Sequence, residues 1–398
     1  MAVGRTFYIA GAGITGLTLA LALAKFGAKV MVLERSPALS EFGAGLQISP
    51  NARRILDRLG LDAALTACSL EPAGIDIYPY RRRNPLVTLE LGDIVRRRFG
   101  APYAVMHRAD LAEALYRACR RFANIDIAFG VRGWSAESHA RGVTVSIDDA
   151  NGQSRTGRAD GLIGADGVHS QTRTTLLDGP AAQYRGRAAW RTLLPFEALA
   201  GQIALDRVSV LFGPDYHMVC YPLPHRRQVN LALFAKVPQS KAHLTSSGRP
   251  TLLRGLRRSP RIDTIMAAAG ENWAMWPLYT VETGQWHRGN IGLVGDAAHA
   301  MVPFQAQGAA MGIEDAAVLA PLLITEPDAE TALARYAAIR QPRVTRVAKV
   351  SRSNGTAFHL QWPFSMGRNL VIAAQGRQGH LRRLDWLYGY DANPDALM

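Results

Sequence analysis

The sequence of 398 residues predicts an α/β fold: a parallel sheet covered by helices, interrupted by an antiparallel sheet and followed by a helical C-terminal segment. Residues 5–33 show an apolar strand, a glycine-rich turn, an apolar helix and a second strand, the order of a parallel β-α-β unit. Between residues 186 and 234, short alternating strands are separated by Gly, Pro and Asp, which is typical of antiparallel sheets. An apolar strand at residues 290–294 then restores the first pattern, so the antiparallel part is an insertion.

Apolar periodicity and capping residues predict the individual elements. Ser49 suits the N-cap of a helix, Pro50 its first position and Gly60 its end. The predicted helices run from Ile14 to Phe26, Asn51 to Leu59, Ala109 to Arg121, Gln307 to Leu323 and Thr331 to Arg352, and a helical pattern resumes near Thr251. The predicted strands run from Arg5 to Ala10, Lys29 to Leu33, Ile125 to Phe129, Val208 to Phe212, Met218 to Tyr221, Gln228 to Phe234 and Asn290 to Val294.

The order of these elements predicts two interleaved domains and a C-terminal segment, an arrangement that the chain length also favours. The nucleotide-binding domain is predicted at residues 1–74, 101–180 and 286–352, the sheet-rich domain at 75–100 and 181–285, and the helical segment at 353–398. A cleft between two such domains is a favoured place for a small ligand.

Composition excludes several classes of protein. With 48% hydrophobic and 20% charged residues, the chain has the composition of a globular enzyme rather than of a disordered or fibrous protein.

The net charge of +14 comes from scattered arginines without an aromatic platform for stacking bases. We therefore expect an electrostatic field that attracts anionic substrates, and no nucleic-acid partner. No segment predicts a membrane helix. Cys68, Cys119 and Cys220 are too widely spaced for a disulfide framework or a metal site, which fits a reducing cytoplasm.

The first motif that indicates chemistry is Gly11-Ala-Gly13-Ile-Thr-Gly16, between a predicted strand and a predicted helix. Its glycines permit a tight turn, close approach of the backbone to a pyrophosphate and close packing of the helix on the strand. Glu34 ends the next strand, where a carboxylate accepts hydrogen bonds from ribose hydroxyls. This context predicts a dinucleotide site but does not distinguish NAD from FAD.

Two later motifs each place an acidic turn after an apolar strand, at Asp166-Gly167 and at Gly295-Asp296. A carboxylate at a strand end can hold a ribityl hydroxyl, and a following helix N-terminus can stabilise negative charge on a reduced flavin. The order of the three motifs therefore favours FAD. No cluster of His, Cys and carboxylate residues has metal-ligand spacing, so we expect no metal.

These motifs resemble those of the single-component FAD-dependent aromatic hydroxylases, which include salicylate hydroxylase and para-hydroxybenzoate hydroxylase. The resemblance extends from about Phe7 to Tyr390 and is greatest to the 3-hydroxybenzoate 6-hydroxylases. It rests on the glycine motif with Glu34-Arg35, Gly43-Ala-Gly45-Leu-Gln47-Ile-Ser-Pro-Asn51, His107-Arg108-Ala-Asp-Leu111, Asp166-Gly167, Gly213-Pro214, His217, Tyr221-Pro222-Leu223, Gly295-Asp296, Pro303-Phe-Gln305 and Trp386-Leu-Tyr-Gly389-Tyr390. It implies a Rossmann-like FAD-binding domain with an inserted antiparallel-sheet substrate domain.

By this resemblance, a set of residues beyond the three glycines would contact FAD. Glu34 and Arg35 would hold its adenosine end, with Val131 among the binding residues, and Arg108 would reach its phosphates. Asp296 would bind the ribityl chain, Gln47 and Gly308 would lie near the flavin, and Asp166 would also contact the nicotinamide cofactor. The chain has a single glycine fingerprint, so NADH or NADPH would bind transiently, with O2 as the further co-substrate.

The substrate side follows from strand alternation, because His217 and Tyr221 project from one face of their strand and Cys220 from the other. Such a pair could be a hydrogen-bonded core pair, but the resemblance favours a site. A phenol is mostly protonated at neutral pH, whereas its phenolate is the form that attacks an electrophilic oxygen. His217 is therefore predicted to be the base, with Tyr221 and Gln305 orienting the hydroxyl.

The implied function is hydroxylation of a small phenolic or hydroxy-aromatic carboxylate through a flavin C4a-hydroperoxide. A hydroxypyridine-carboxylate hydroxylase such as 6-hydroxynicotinate 3-monooxygenase, a decarboxylating salicylate hydroxylase, an FAD reductase or dehydrogenase, and a flavin protein without turnover remain alternatives. Two departures from the family pattern bear on these: Ala306 replaces a glycine, and Gln47 replaces the histidine usual in hydroxynicotinate enzymes. The aromatic and basic C-terminal segment is predicted to cap the core, and formation of a homodimer or binding of a lipid are the alternatives.

Overall fold

A six-stranded sheet lies at the centre of the first domain in the computed structural model, which describes residues 4–39, 45–239 and 258–392. Its strands are β1 (Thr6–Ala10), β2 (Lys29–Leu33), β8 (Ile125–Ala128), β12 (Gly161–Gly164), β18 (His287–Arg288) and β19 (Ile291–Leu293). In space the order is β18-β19-β12-β1-β2-β8, and every pair is parallel except β18 with β19. The carboxyl ends of the parallel strands, where the acidic motifs stand, therefore share one edge.

Helices pack on this sheet and on the sheet-rich domain. They are α1 (Ile14–Lys25), α2 (Pro50–Arg58), α3 (Asp62–Cys68), α4 (Asp93–Phe99), α5 (Arg108–Cys119), α6 (Pro260–Ala269), α7 (Asp296–His299), α8 (Gly308–Thr325), α9 (Ala329–Phe358), α10 (Phe364–Arg382) and α11 (Asp385–Tyr388). In the described part of the chain, α8 is the one helix long and apolar enough to cross a membrane, and most of it is buried, as in a core helix that packs on α1.

A seven-stranded sheet forms the centre of the second domain. Its strands are β5 (Gly74–Tyr78), β6 (Val87–Glu90), β13 (Gln183–Pro195), β14 (Val208–Gly213), β15 (Tyr216–Leu223), β16 (Gln228–Lys236) and β17 (Ala274–Thr280). The order is β17-β13-β16-β15-β14-β5-β6, antiparallel throughout except where β5 runs parallel to β14. That parallel pair joins the two separate chain segments of the sheet.

Two small sheets complete the fold. The first connects the domains and has the order β3-β7-β4, with β3 at Gly45–Ile48, β4 at Ser69–Leu70 and β7 at Ala104–His107. The second is an antiparallel meander of β9 (Gly133–His139), β10 (Gly142–Asp148) and β11 (Ser154–Ala159). Because β3 and the two residues that flank β7, Tyr103 and Arg108, border the inter-domain space, they can reach a ligand held there.

The predicted fold class is confirmed, and the elements differ from prediction mainly at their ends. The largest difference is α9, which begins at Ala329 behind the N-cap Asp328 and continues past the predicted end at Arg352 to Phe358. The predicted helical pattern near Thr251, and Gly43 with Ala44, lie outside the described residues. The domain boundaries stay predictions.

Candidate active site

A cavity of about 780 Å³ lies between the two domains, within the usual size of small-molecule sites. Its loop side is formed by Gln47, Arg108, Asp296 and Gly308, together with the 303–306 turn. Its sheet side is formed by inward-facing residues of β13, β15 and β16: Arg191, His217, Val219, Tyr221, Asn230, Ala232 and Phe234. The structure thus brings predicted flavin residues and predicted substrate residues to one space. Of the described side chains that line the cavity, four are arginines and one is a carboxylate.

The glycine loop meets the steric demands of a pyrophosphate site. Gly11 has a φ of +106°, and a Cβ there would lie 2.5 Å from the carbonyl oxygen of Ala165. Helix α1 starts immediately afterwards, and no side chain caps its N-terminus. Glu34 stands beside the loop, because its carboxylate accepts hydrogen bonds from the backbone N–H of Ala12 and Ser36, each at 2.8 Å. An uncapped helix N-terminus behind a loop that tolerates only glycine is suited to phosphate.

The loop side of the cavity fits a flavin ring system. Gly308 begins α8, whose N-terminus has no side-chain cap, and a Cβ at Gly308 would meet open space in the cavity. Asp296 begins α7 and lines the same space, where its carboxylate can accept a ribityl hydroxyl. Gln47 lies opposite and accepts a short hydrogen bond from the Tyr103 hydroxyl. The N-terminus of α8 lines this space, and its helix dipole would stabilise negative charge on a reduced flavin bound there.

A buried ionic network stabilises the loop side of the cavity. The Arg340 guanidinium bonds Glu314 at 2.6 Å and Asp315 at 2.8 Å, and all three side chains are fully buried. Asp315 also accepts from the backbone N–H of Gly295 at 2.9 Å and contacts His299 at 2.5 Å. Burial would raise the pKa of the Asp315 carboxyl, but His299 and Arg340 hold it well below its usual range. The network fixes α8 relative to the Gly295-Asp296 turn.

Besides the three glycines of the loop, four predicted cofactor residues do not line the cavity: Glu34, Arg35, Val131 and Asp166. Arg35 is exposed, and the buried Val131 donates its N–H to the carbonyl oxygen of Glu34 at 3.0 Å. The Asp166 carboxylate accepts from the Ser170 hydroxyl at 2.6 Å and the Thr172 N–H at 2.9 Å. The carboxylate therefore stabilises the turn that contains Asp166, and this turn lies at the end of β12 beside Gly11.

The central strand of the substrate sheet, β15, places its side chains alternately on two faces, as the sequence predicts. His217, Val219 and Tyr221 line the cavity. Tyr216, Met218 and Cys220 pack in the second domain's own core. Both faces are covered, which explains why the strand is apolar throughout apart from the histidine.

His217 is held in an aromatic cage. Its ring stacks on Phe234 at 4.6 Å between centroids, and Phe304 and Phe358 present their edges at 5.3 Å and 5.2 Å. Its Nδ1 lies 2.9 Å from Nε2 of His359, the residue that follows α9. Burial, with smaller contributions from His359 and Arg187, lowers the pKa of His217 well below its ordinary value. The imidazole is therefore neutral at physiological pH, the form that accepts a proton.

Tyr221 and Gln305 are fixed by neighbours that the sequence did not indicate. The Tyr221 hydroxyl packs against Gly45 of β3, where any Cβ would collide with it and with Asn230. Burial raises the pKa of Tyr221, so its phenol keeps its proton at neutral pH. The Gln305 amide oxygen accepts a short hydrogen bond from Asn354 of α9.

Arg191 was also missed by sequence reasoning. It lines the cavity on the sheet side, and burial lowers its pKa. Within the described residues its side chain has neither an ion pair nor a hydrogen bond, and its Nε is buried without a partner. Its position on an alternating strand of the inserted sheet is the one signal that could have found it.

Comparison with known proteins assigns the family. Residues 5–351 match the model of the FAD binding domain family. The chain is 33% identical to the 3-amino-4-hydroxybenzoate 2-monooxygenase of Streptomyces platensis over 97% of this chain and 96% of the relative. It is 31% identical to the 3-hydroxybenzoate 6-hydroxylase of Aquipseudomonas alcaligenes, over 96% of each. The chain belongs to the FAD-dependent aromatic hydroxylases.

The solved structures give the same fold. Klebsiella pneumoniae HpxO, complexed with FAD and uric acid, superposes with a TM-score of 0.84 at 23% identity, covering 99% of this chain and 98% of that one. The cofactor of this hydroxylase is FAD, and NAD(P)H and O2 are the usual co-substrates of its family. When bound, FAD supplies the oxygen chemistry.

Proposed function

We propose that this hydroxylase inserts one oxygen atom into a small phenolic carboxylate, with the substrate held by His217 and Arg191 across the sheet side of the cavity. The main support is Arg191, a half-buried arginine that lines the cavity, has its Nε fully buried and has no acidic partner among the described residues. An unpaired buried charge is costly, so such a site favours an anionic ligand. Arginine is also the side chain that best matches the planar geometry of a carboxylate.

The sheet register sets the spacing of the two contacts. Arg191 lies opposite Ala232, and Ala232 lies opposite Val219, which stands between His217 and Tyr221 on β15. Neighbouring strands are about 4.8 Å apart, so the backbone of Arg191 lies about 10 Å from that of Val219. A benzene ring over Ala232 can direct its carboxylate to Arg191 and its hydroxyl to His217. The small side chain of Ala232 leaves room for the ring.

The chemistry proposed for the sheet side is deprotonation. His217, neutral because it is buried, accepts the phenolic proton, and Tyr221 donates a hydrogen bond to the developing phenolate. Gln305, anchored by Asn354, orients the same oxygen from the loop side. The phenolate directs electron density into the ring at the moment of oxygen transfer.

The test is oxidation of NADH and of NADPH by the yellow holoenzyme with a panel of hydroxybenzoates, hydroxypyridine carboxylates and the matching hydroxybenzamides, with products identified by mass. Carboxylates are expected to accelerate oxidation and to gain one oxygen atom. The amides, which carry the same hydroxyl but no charge, are expected to do so poorly. Equal turnover of acids and amides would contradict the role of Arg191. Oxidation without any oxygenated product would contradict hydroxylation.

The proposal extends to assembly and location. Trp362, Phe364 and Leu370 are each more than 70% exposed at the start of α10, a surface that a homodimer would cover. The three free cysteines suit a reducing cytoplasm. Light scattering of the wild type and of a Trp362→Ser, Leu370→Ser variant distinguishes dimer from monomer.

A further inference from the structure

The partner of His217 is a second histidine, His359, supplied by a different domain segment. His217 stands on β15 of the substrate sheet, whereas His359 caps the C-terminus of α9. Their facing nitrogens, Nδ1 of His217 and Nε2 of His359, lie 2.9 Å apart, and both rings are buried. Phe304 contacts both rings at its edge, which fixes their mutual orientation.

The contact constrains where the protons lie. Two neutral imidazoles form one hydrogen bond only when one nitrogen carries a hydrogen and the other a lone pair. His217 can accept a proton from the cavity only on Nε2, because Nδ1 faces His359. A base needs that Nε2 unprotonated, so its Nδ1 must carry the hydrogen and His359 must accept it. The orienting group of a catalytic histidine is thus an imidazole here, where a carboxylate is more usual.

The charged groups around the pair do not supply that carboxylate. Arg187 of β13 acts on both rings and lowers the pKa of each, in addition to burial. Asp215 and Lys236 act on His359 from the β14–β15 turn and from β16, and they pair with each other at 2.8 Å. A neutral acceptor leaves the base uncharged before the reaction and stabilises its protonated form only modestly.

We propose that His359 is the positioning residue for the proton transfer, resting on the proposed function above. It accepts the Nδ1–H of His217 and so keeps Nε2 free towards the substrate. In the step itself the phenolic O–H bond breaks, the proton moves to Nε2 of His217 and the electron pair stays on the phenolate oxygen. The His217 cation keeps its hydrogen bond to His359, and the adjacent phenolate balances its charge.

Two substitutions separate the roles of His359. The amide oxygen of His359→Gln reaches the former Nε2 position and can still accept the hydrogen bond, whereas His359→Leu cannot. Both variants are reconstituted with FAD, and the bound substrate is titrated by its phenol-to-phenolate absorbance. We expect His359→Leu to shift the apparent pKa of bound substrate upwards and to reduce hydroxylation at neutral pH about tenfold, a typical cost of losing an orienting partner. The loss should be recovered at high pH, and His359→Gln should resemble the wild type.

A second readout does not depend on the substrate. In ¹⁵N-histidine spectra of the substrate-free holoenzyme, Nδ1 of His217, assigned with His217→Gln, should carry the hydrogen in the wild type and in His359→Gln. It should exchange between tautomers in His359→Leu. A wild-type Nδ1 without hydrogen overturns the proposal, as does a His359→Leu pH profile that matches the wild type or is reduced equally at every pH. If instead the tautomer is as expected but no phenol is hydroxylated, the proposed function fails and the positioning contact stands.

Discussion

On the loop side of the cavity, Arg340 lies between Glu314 and Asp315 and every one of these buried charges is paired. On the sheet side, Arg191 is half-buried without an acidic partner in the described part of the chain, and the proposed base His217 has an imidazole, His359, as its hydrogen-bond partner. The difference matches the two ligands. A cofactor that stays bound needs a rigid frame, whereas a substrate that comes and goes must supply the missing partner each time. Removing an arginine should therefore have opposite consequences on the two sides.

The largest effect is expected from Arg340→Met. The substitution leaves Glu314 and Asp315 buried with reduced compensation, and breaking a buried ion pair from one side typically costs about 3–5 kcal/mol of unfolding free energy. Urea unfolding and FAD content measure the loss. Arg335→Met is the matched control, because its pair with Glu326 is exposed on the arginine side and contributes at most about 1 kcal/mol. Equal stability of the two variants would show that the network does not support the loop side.

Acid should destabilise the protein through the histidine pair. Burial lowers the pKa of His359 to about 3, and that of His217 also lies well below its ordinary value. Below about pH 6.5 the two histidines become protonated in the unfolded chain but stay neutral in the folded protein. The unfolding free energy therefore falls by about 1.4 kcal/mol per pH unit for each histidine. Urea unfolding at pH 7 and pH 5 should show a smaller loss for His359→Gln than for the wild type. The exposed His139→Gln serves as control and should lose as much as the wild type.

Arg191→Gln should affect binding and not the fold. Losing a charge-assisted hydrogen bond costs about 1.5–3 kcal/mol, equivalent to a rise of about 10- to 150-fold in KM for the carboxylate substrate. The hydroxybenzamide should lose little, because it makes no ion pair. Unfolding free energy should be unchanged or increase, since a half-buried charge without an acidic partner is removed. A variant that unfolds as readily as Arg340→Met would remove the contrast between the two sides.

The smallest effect is expected at Ala306. This residue, which stands where the family commonly has glycine, has a φ of +53° in the turn that precedes α8. The left-handed region costs an alanine about 1 kcal/mol, and the extra chain entropy of glycine offsets part of the gain. Ala306→Gly should therefore raise stability by less than about 1 kcal/mol, as thermal unfolding would show. A clear loss would mean that the alanine side chain itself supports the turn.

What the sequence could predict depended on whether the signal was local. The glycine loop and the acidic strand ends are short motifs whose steric requirements are visible residue by residue, as Gly11 shows. Alternation on β15 was sufficient to place His217 and Tyr221 on one face. Arg191 and His359 lie 26 residues before and 142 residues after His217, so only tertiary packing reveals them. Helix α9 passes its predicted end because Gly355 is accommodated inside it, packed against the Phe304 ring, instead of ending it. This tertiary contact hid the position of His359.

Helix α9 carries Arg340 near its middle and delivers His359 at its end. Its 30 residues form a rod of about 45 Å, and each residue advances it by about 1.5 Å and turns it by about 100°. The helix therefore fixes both the distance and the angle between Arg340, which supports the cofactor side, and His359, which is proposed to orient the base. A single residue inserted between them would rotate His359 away from His217 while leaving both motifs intact in the sequence. In this chain the number of residues from Arg340 to His359 is therefore a structural requirement of the active site.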